Sequence, residues 1–226
     1  MKYTHHTAIA LAVGACILSG CSGGGSGGSA GGSAASLASL QTAAGTTTKT
    51  GTRAPAVQPP ADACSVAYWG DSVSALTGPK LDKRLHVAMH AVVGGTAQAA
   101  LPQVLQDTMA ERFVVIEYGT NDANYKADLA TPMRSMLDYA KSKQRKPVLT
   151  AMSNATAGEL AYHSTLNLVI ASLAGEYKSL FANWPTVQYA GAGDLMPDGV
   201  HPNDGYQQRL ADRLSQTILD AAPECQ

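Results

Sequence analysis

From about residue 65 onward, short apolar blocks alternate with longer stretches in which apolar positions recur at helical spacing. Strand-length apolar runs occur at Ser65–Trp69, Leu85–Val93, Phe113–Tyr118, Pro147–Met152 and Thr186–Ala190. Phe113-Val114-Val115-Ile116 shows no polar alternation, as expected of a central parallel strand buried on both faces. Thr131-Pro132 predicts an N-cap and first helical position, followed by Met133, Met136, Leu137 and Ala140 on one stripe. A further helix is predicted over 157–181, and a last one after Asn203-Asp204, with Tyr206, Leu210, Leu214 and Ile218 facing inward. Strand–helix alternation of this kind predicts an α/β fold, a three-layer α/β/α sandwich around a parallel sheet.

The first 60 residues lack that pattern. Lys2 precedes an apolar stretch from Ala8 to Leu18, too short to span a bilayer and of the length of a signal peptide. It ends in Leu18-Ser19-Gly20-Cys21, which resembles the lipobox of bacterial lipoproteins. The resemblance implies removal of residues 1–20 and lipidation of Cys21. Ser22 in place of aspartate at the next position favours the outer membrane if the cell is Gram-negative. Several acyl chains on one residue would anchor stably, where a single chain holds only marginally. Residues 22–60 are rich in glycine and serine, then alanine and threonine, then proline, and cannot bury a core. They read as a tether with a reach of roughly 35 Å. The glycine-rich part lacks the lysine of a phosphate loop. Residues 61–226 are thus expected to be the folded domain.

Composition narrows the class. The chain has 226 residues, 45% apolar and 15% charged, enough for one good core. A formal net charge of −1 gives no reason to expect nucleic acid or a basic membrane-binding patch. Lys141-Ser142-Lys143-Gln144-Arg145-Lys146 is the one dense basic run, and it closes a predicted helix, where cations suit the helix dipole. Contact with a membrane is expected through the lipid anchor only. The remaining cysteines, Cys64 and Cys225, bracket the predicted domain. Strand starts and the ends of returning helices share one edge of a parallel sheet, so the two could form a disulfide in an oxidising compartment. Two free thiols are the alternative.

Four pieces in order carry chemistry: Gly70-Asp71-Ser72, Gly94-Gly95-Thr96, Gly119-Thr120-Asn121-Asp122 and Asp198-Gly199-Val200-His201. Each follows a predicted strand, so in an open parallel sheet all four would meet at the carboxyl edge, where ligands bind. They supply a hydroxyl nucleophile, backbone and amide donors, and a histidine three residues after a carboxylate, the groups that acyl transfer requires. Tyr68-Trp69-Gly70-Asp71-Ser72 and Asp198-Gly199-Val200-His201-Pro202-Asn203 resemble the first and last motifs of the SGNH, or GDSL-type, serine hydrolases, with Val73 where that family usually has leucine. The resemblance covers roughly the last 165 residues.

It implies five strands in flavodoxin-like order. It implies that Ser72 is the nucleophile, His201 the base and Asp198 its orienting acid. The oxyanion would be held by the N–H groups of Ser72 and Gly94, with Gly95 as a substitute for Gly94, and by the Asn121 amide. Asp71 and Asp122 are expected to hold loops in shape. Asp194 is the rival acid, but the three-residue spacing selects Asp198. No metal or cofactor is implied. His86 and His90 are four apart without a glutamate motif, and read as core or surface histidines. The sequence Gly70-Asp71-Ser72-Val73-Ser74 lacks the second glycine of a nucleophile elbow, which argues against an ordinary α/β-hydrolase.

The expected protein is a monomeric, lipid-anchored serine ester hydrolase of the cell envelope. Its substrate would be a small-molecule or glycan ester, and the region 153–185, with Met152, Tyr162 and Leu166, would line the acyl side. Lysophospholipase or thioesterase activity, acyl transfer to a sugar hydroxyl, and a non-catalytic glycan- or partner-binding lipoprotein are the competing readings.

Overall fold

In the computed structural model, which describes residues 62–156 and 161–226, one five-stranded parallel sheet carries the architecture. The expected signal segment 1–20, lipidation site Cys21 and tether 21–60 lie outside the described residues. The strands are β1 (Ser65–Gly70), β2 (His86–Ala91), β3 (Phe113–Glu117), β4 (Lys146–Thr150) and β5 (Leu180–Ala182). Their order is β2-β1-β3-β4-β5, the flavodoxin-like arrangement, with every pair parallel. No helix among the described residues is long and apolar enough to cross a membrane.

Side-chain alternation divides the strands between two cores. Val66, Tyr68, Phe113, Val115 and Val148 point to one face, where Val73 of α1 (Ser72–Thr77) and Tyr206, Leu210, Leu214 and Ile218 of α6 (Asp204–Leu219) cover them. Ala67, Trp69, Val114, Ile116 and Leu149 point to the other face. There they meet α2 (Ala97–Val104), α4 (Ala130–Ser142) and α5 (Ala161–Tyr177). The short α3 (Thr120–Tyr125) follows β3 directly. All five residues of β3 are buried, which is why its sequence shows no polar alternation until Glu117.

Three boundaries differ from the sequence expectation. The fifth strand is Leu180–Ala182 and not 186–190. Lys178 ends α5 with a left-handed φ of 51° and turns the chain back into the sheet early. Trp184, wholly buried with its Nε1–H on the Leu210 carbonyl at 3.1 Å, then pins the exit from β5 in a 3₁₀ turn. Residues 186–190 keep a period-two exposure because Val187 and Tyr189 pack on the core, but they pair with no strand of the sheet. The second difference is at α4, which begins at Ala130. Asp128 Oδ1 accepts the N–H groups of Ala130 and Thr131 at 3.0 and 3.3 Å, so Thr131-Pro132 lie inside the first turn. Third, the helix predicted to end at residue 181 stops at Tyr177.

Cys64, just before β1, and Cys225, after α6, are joined by a disulfide that spans 161 residues of sequence. The Cys64→Ser/Cys225→Ser protein is expected to lose up to about 5 kcal/mol of unfolding free energy by loop-closure entropy, read as a lower urea midpoint.

Candidate active site

The order of strands reverses between β1 and β3, and the side chains of the first and third motifs emerge there. β1 ends at Gly70, Asp71 caps the next helix, and Ser72 is that helix's first residue. Asp71 Oδ1 accepts the N–H of Val73 at 2.8 Å, closing the strand-to-helix turn. Ser72 stands at the first position of α1, where a backbone N–H has no acceptor within the helix. The turn depends on Gly70: a Cβ there would lie 1.8 Å from Ser74 Oγ and 2.7 Å from the Glu117 carbonyl oxygen. The backbones of β1, α1 and β3 converge more closely than any side chain permits.

The fourth motif lies in a small hairpin between the core and α6. Leu195 and Pro202 form an antiparallel bridge, and Met196 N–H donates to the His201 carbonyl at 2.7 Å. Across the tip, Asp198 Oδ1 accepts the N–H groups of Val200 and His201, each at 2.9 Å. Its other oxygen, Oδ2, lies 2.7 Å from His201 Nδ1. One carboxylate thus folds the turn and fixes the imidazole, and the three-residue spacing follows from the turn itself. His201 Nε2 lies 2.8 Å from Ser72 Oγ, completing a hydrogen-bonded chain from Asp198 to Ser72. Burial opposes ionisation of Asp198, but the two N–H groups and the imidazole outweigh it and hold the carboxyl down to about 2. Asn203 Oδ1 caps α6 through Tyr206 N–H at 3.0 Å, which ties the hairpin to the core. Asp194, the rival acid, is engaged elsewhere: it pairs with Arg209 at 2.7 Å and accepts the Ala190 N–H.

The second and third motifs are stitched together. Asp122, wholly buried, accepts the Ala97 N–H through both carboxylate oxygens at 3.2 and 3.3 Å, joining the start of α2 to α3. Asn121 Nδ2 donates to the Gly95 carbonyl at 3.0 Å and to Asp71 Oδ2 at 3.3 Å. The Gly95 N–H is used in a turn onto the Val92 carbonyl at 2.9 Å, while that of Gly94 has no acceptor among the described residues. Between the two glycines, Gly94 is therefore the one with a donor to offer.

Glu117 is a residue that the motif reading passed over. Its signal was a lone acid closing the apolar run of β3, at a position buried on both faces. Two histidines outside the motifs are also placed: exposed His86 hydrogen bonds Asp62, and His90 stacks on Trp69 with ring centroids 4.2 Å apart. Met152, expected along the acyl side, is instead buried under the third motif. A Cβ on Gly119 would lie 2.6 Å from its sulfur, so the thioether fills the space that the glycine leaves. Leu166 is partly buried against the same core, and Tyr162 is exposed beneath the Lys126 ammonium. Largely within the 153–185 region, a cleft of about 460 Å³ has a mixed lining, with Asn154, His163, Asn167 and Asn183 set among Leu168, Phe181 and several alanines. Thr156, further along the same segment, donates its N–H to the Gly199 carbonyl of the hairpin at 2.8 Å.

Comparison with known proteins points the same way as this geometry. The family model described as GDSL-like lipase/acylhydrolase matches residues 45–209. No match was found among curated proteins. The fold is shared with the solved structure of TesA, at 23% identity over 68% of this chain and 97% of that one, with a TM-score of 0.57. A GDSL-like lipase from Bacteroides thetaiotaomicron aligns at 21% identity over 73% and 90%, with a TM-score of 0.59. Axe2, an acetylxylan esterase from Geobacillus stearothermophilus, aligns at 16% identity over 69% and 92%, with a TM-score of 0.53.

Gly70→Ala is expected to destabilise the protein by at least about 1–3 kcal/mol, because one of the opposing atoms is a backbone carbonyl that cannot rotate away. Urea unfolding measures the loss, and a midpoint equal to that of the parent protein would show that the turn has slack.

Proposed function

Because the chain belongs to the GDSL-like lipase/acylhydrolase family, a family of ester-hydrolysing enzymes, we propose that it is a serine esterase of the cell envelope acting through an acyl-enzyme on short O-acyl groups. The observation that carries this reading is the chain Ser72–His201–Asp198, with links of 2.8 and 2.7 Å. A serine hydroxyl attacks an ester only as its proton leaves, and His201 Nε2 is placed to receive it. Ser72 Oγ bonds to the ester carbon, and the carbonyl oxygen becomes the oxyanion. The N–H groups of Ser72 and Gly94 and the Asn121 amide are its donors. His201 returns the proton to the departing alkoxide, which leaves as the alcohol. Water, deprotonated by His201, then attacks the acyl-serine, and the acid departs with Ser72 restored. Asp198 stays ionised throughout, holding the tautomer and stabilising the imidazolium.

The preference for short acyl groups rests on the surroundings. Met152 is buried beneath Gly119 and is not available to line an acyl channel. The Cys64–Cys225 disulfide supports an oxidising compartment, in keeping with the lipobox-like Cys21. Residues 22–60 would then hold a monomeric enzyme off the membrane.

Hydrolysis of p-nitrophenyl esters of rising acyl length tests the reading, with acetate or butyrate expected to be preferred. Ser72→Ala and His201→Ala should each lower kcat by at least about 10⁴-fold. Asn121→Ala should cost about 10²- to 10³-fold with little change in KM. Folded Ser72→Ala protein with full activity would remove the serine mechanism. Failure of a phosphonate probe to label Ser72 would favour a binding protein.

A further inference from the structure

The cleft at the carboxyl edge of β4 and β5 carries polar groups that neither the hydrolytic steps nor the fold employs. It encloses about 460 Å³, within the roughly 300–1,000 Å³ of small-molecule sites. Ala151, the residue after β4, and Asn183, the residue after β5, both line it. Its long wall is α5, which presents His163, Asn167 and Ala171 at successive four-residue intervals. None of Ser72, Asn121 and His201 borders this space.

His163 is the anomaly. It is only 9% exposed, and its imidazole has no hydrogen-bond or ion-pair partner among the described residues. Burial holds its pKa down to about 4, so the ring is neutral at ordinary pH, with one nitrogen a donor and the other an acceptor. A buried polar group left unmatched costs stability, and leucine would fill the same space without that cost. Asn183 repeats the pattern. It stands at the cap position of the 3₁₀ turn Trp184–Thr186, yet its side chain caps no N–H and has no other partner among the described residues. Two neighbours, by contrast, are fixed. Asn167 accepts the Met152 N–H at 2.7 Å and donates to the Met152 carbonyl at 3.4 Å, locking α5 to the chain beyond β4. Asn154 donates to the Tyr206 hydroxyl at 3.3 Å, which leaves its side-chain carbonyl unused. The unmatched groups thus sit on a frame that is already ordered.

We propose that this cleft binds a neutral sugar unit, with His163 and Asn183 as its recognition groups. No lysine, arginine, aspartate or glutamate lines the space, so a charged ligand would lose hydration and gain no counter-charge. The groups on offer are an imidazole, an amide, the Ser164 hydroxyl and the Asn154 carbonyl, donors and acceptors side by side. That mixture matches sugar hydroxyls, each of which both donates and accepts. The half-buried Phe181 ring and Leu168 supply apolar surface for the C–H face of a pyranose. A fatty acyl chain would cover that surface too, but would leave the imidazole and the amide buried and unmatched. The site goes beyond the esterase reading, because it would hold a glycan whether or not an ester is cleaved.

The test is binding by the full-length protein. Proton–carbon NMR spectra of the histidine rings, with the His163 signal identified by its loss in His163→Leu and His163→Gln, are followed through titration with xylotriose, triacetylchitotriose and n-octanol. A saturable shift of the His163 signal with either saccharide is expected, and which of them binds separates an unmodified glycan from an N-acetylated one. In calorimetric titration with that saccharide, His163→Leu should weaken affinity by about tenfold or more, and Asn183→Ala by several-fold. His163→Gln, which keeps a donor and an acceptor, should retain part of the binding. The His163→Leu protein should unfold in urea at a midpoint equal to or above the parent's, because the imidazole has no partner to lose. A His163 signal moved by octanol alone, or by none of the three, would overturn the site. So would a markedly lower midpoint for His163→Leu, which would make the histidine a packing residue.

Discussion

The site is organised by one close approach, that of Gly70 at the end of β1 to the Glu117 carbonyl at the end of β3. Because no side chain separates these backbones, α1 starts immediately beyond the sheet. Ser72 therefore stands at the point where strand order reverses, with an N–H that has no acceptor among the described residues beside its own hydroxyl. The same closeness brings Ser74 onto Glu117 and Asp71 within reach of Asn121. The placement of the proposed nucleophile, of a proposed oxyanion donor and of two neighbouring buried acids all follows from a missing Cβ.

Opposite this rigid wall stands the hairpin of residues 195–202, which owes its shape to a side chain and not to the sheet. Asp198 supplies both the turn and the orientation of His201, so the base cannot be misplaced without unmaking the loop. Its attachment runs through Asn203 into α6, whose apolar stripe is wholly buried. The catalytic chain is thereby clamped between two independently anchored elements. Pre-organisation of this kind is what makes hydrogen bonds at an active site worth several kcal/mol to a transition state.

Electrostatically the two sides differ in a way that suits acyl transfer. The hairpin holds an ionised acid against the imidazole, where positive charge develops. Near the proposed oxyanion donors, burial pushes the Asp71 and Glu117 carboxyls up, and the charge of Glu117 raises Asp71 further. The histidine side is wet enough to keep its carboxylate charged, since the Asp198 side chain is 48% exposed, while Asp71 and Glu117 see almost no solvent.

The sequence by itself determined the layered architecture, because burial on two faces demands the uninterrupted run Phe113–Ile116 and burial on one demands the stripes of α4 and α6. It also determined the motifs, since each is a short segment whose spacing is set by local turn geometry, as with Asp198 and His201. What it could not determine was β5, whose three residues are too few to show a period, while the alternation at 186–190 came from packing without a strand partner. Nor could it separate Gly94 from Gly95, because only the folded loop shows which N–H the turn consumes. The place of Met152 under Gly119 and the meeting of Glu117 with Asp71 across 46 residues are likewise tertiary facts. They depend on which backbones approach one another, and a linear pattern records which residues are buried without recording what they are buried against.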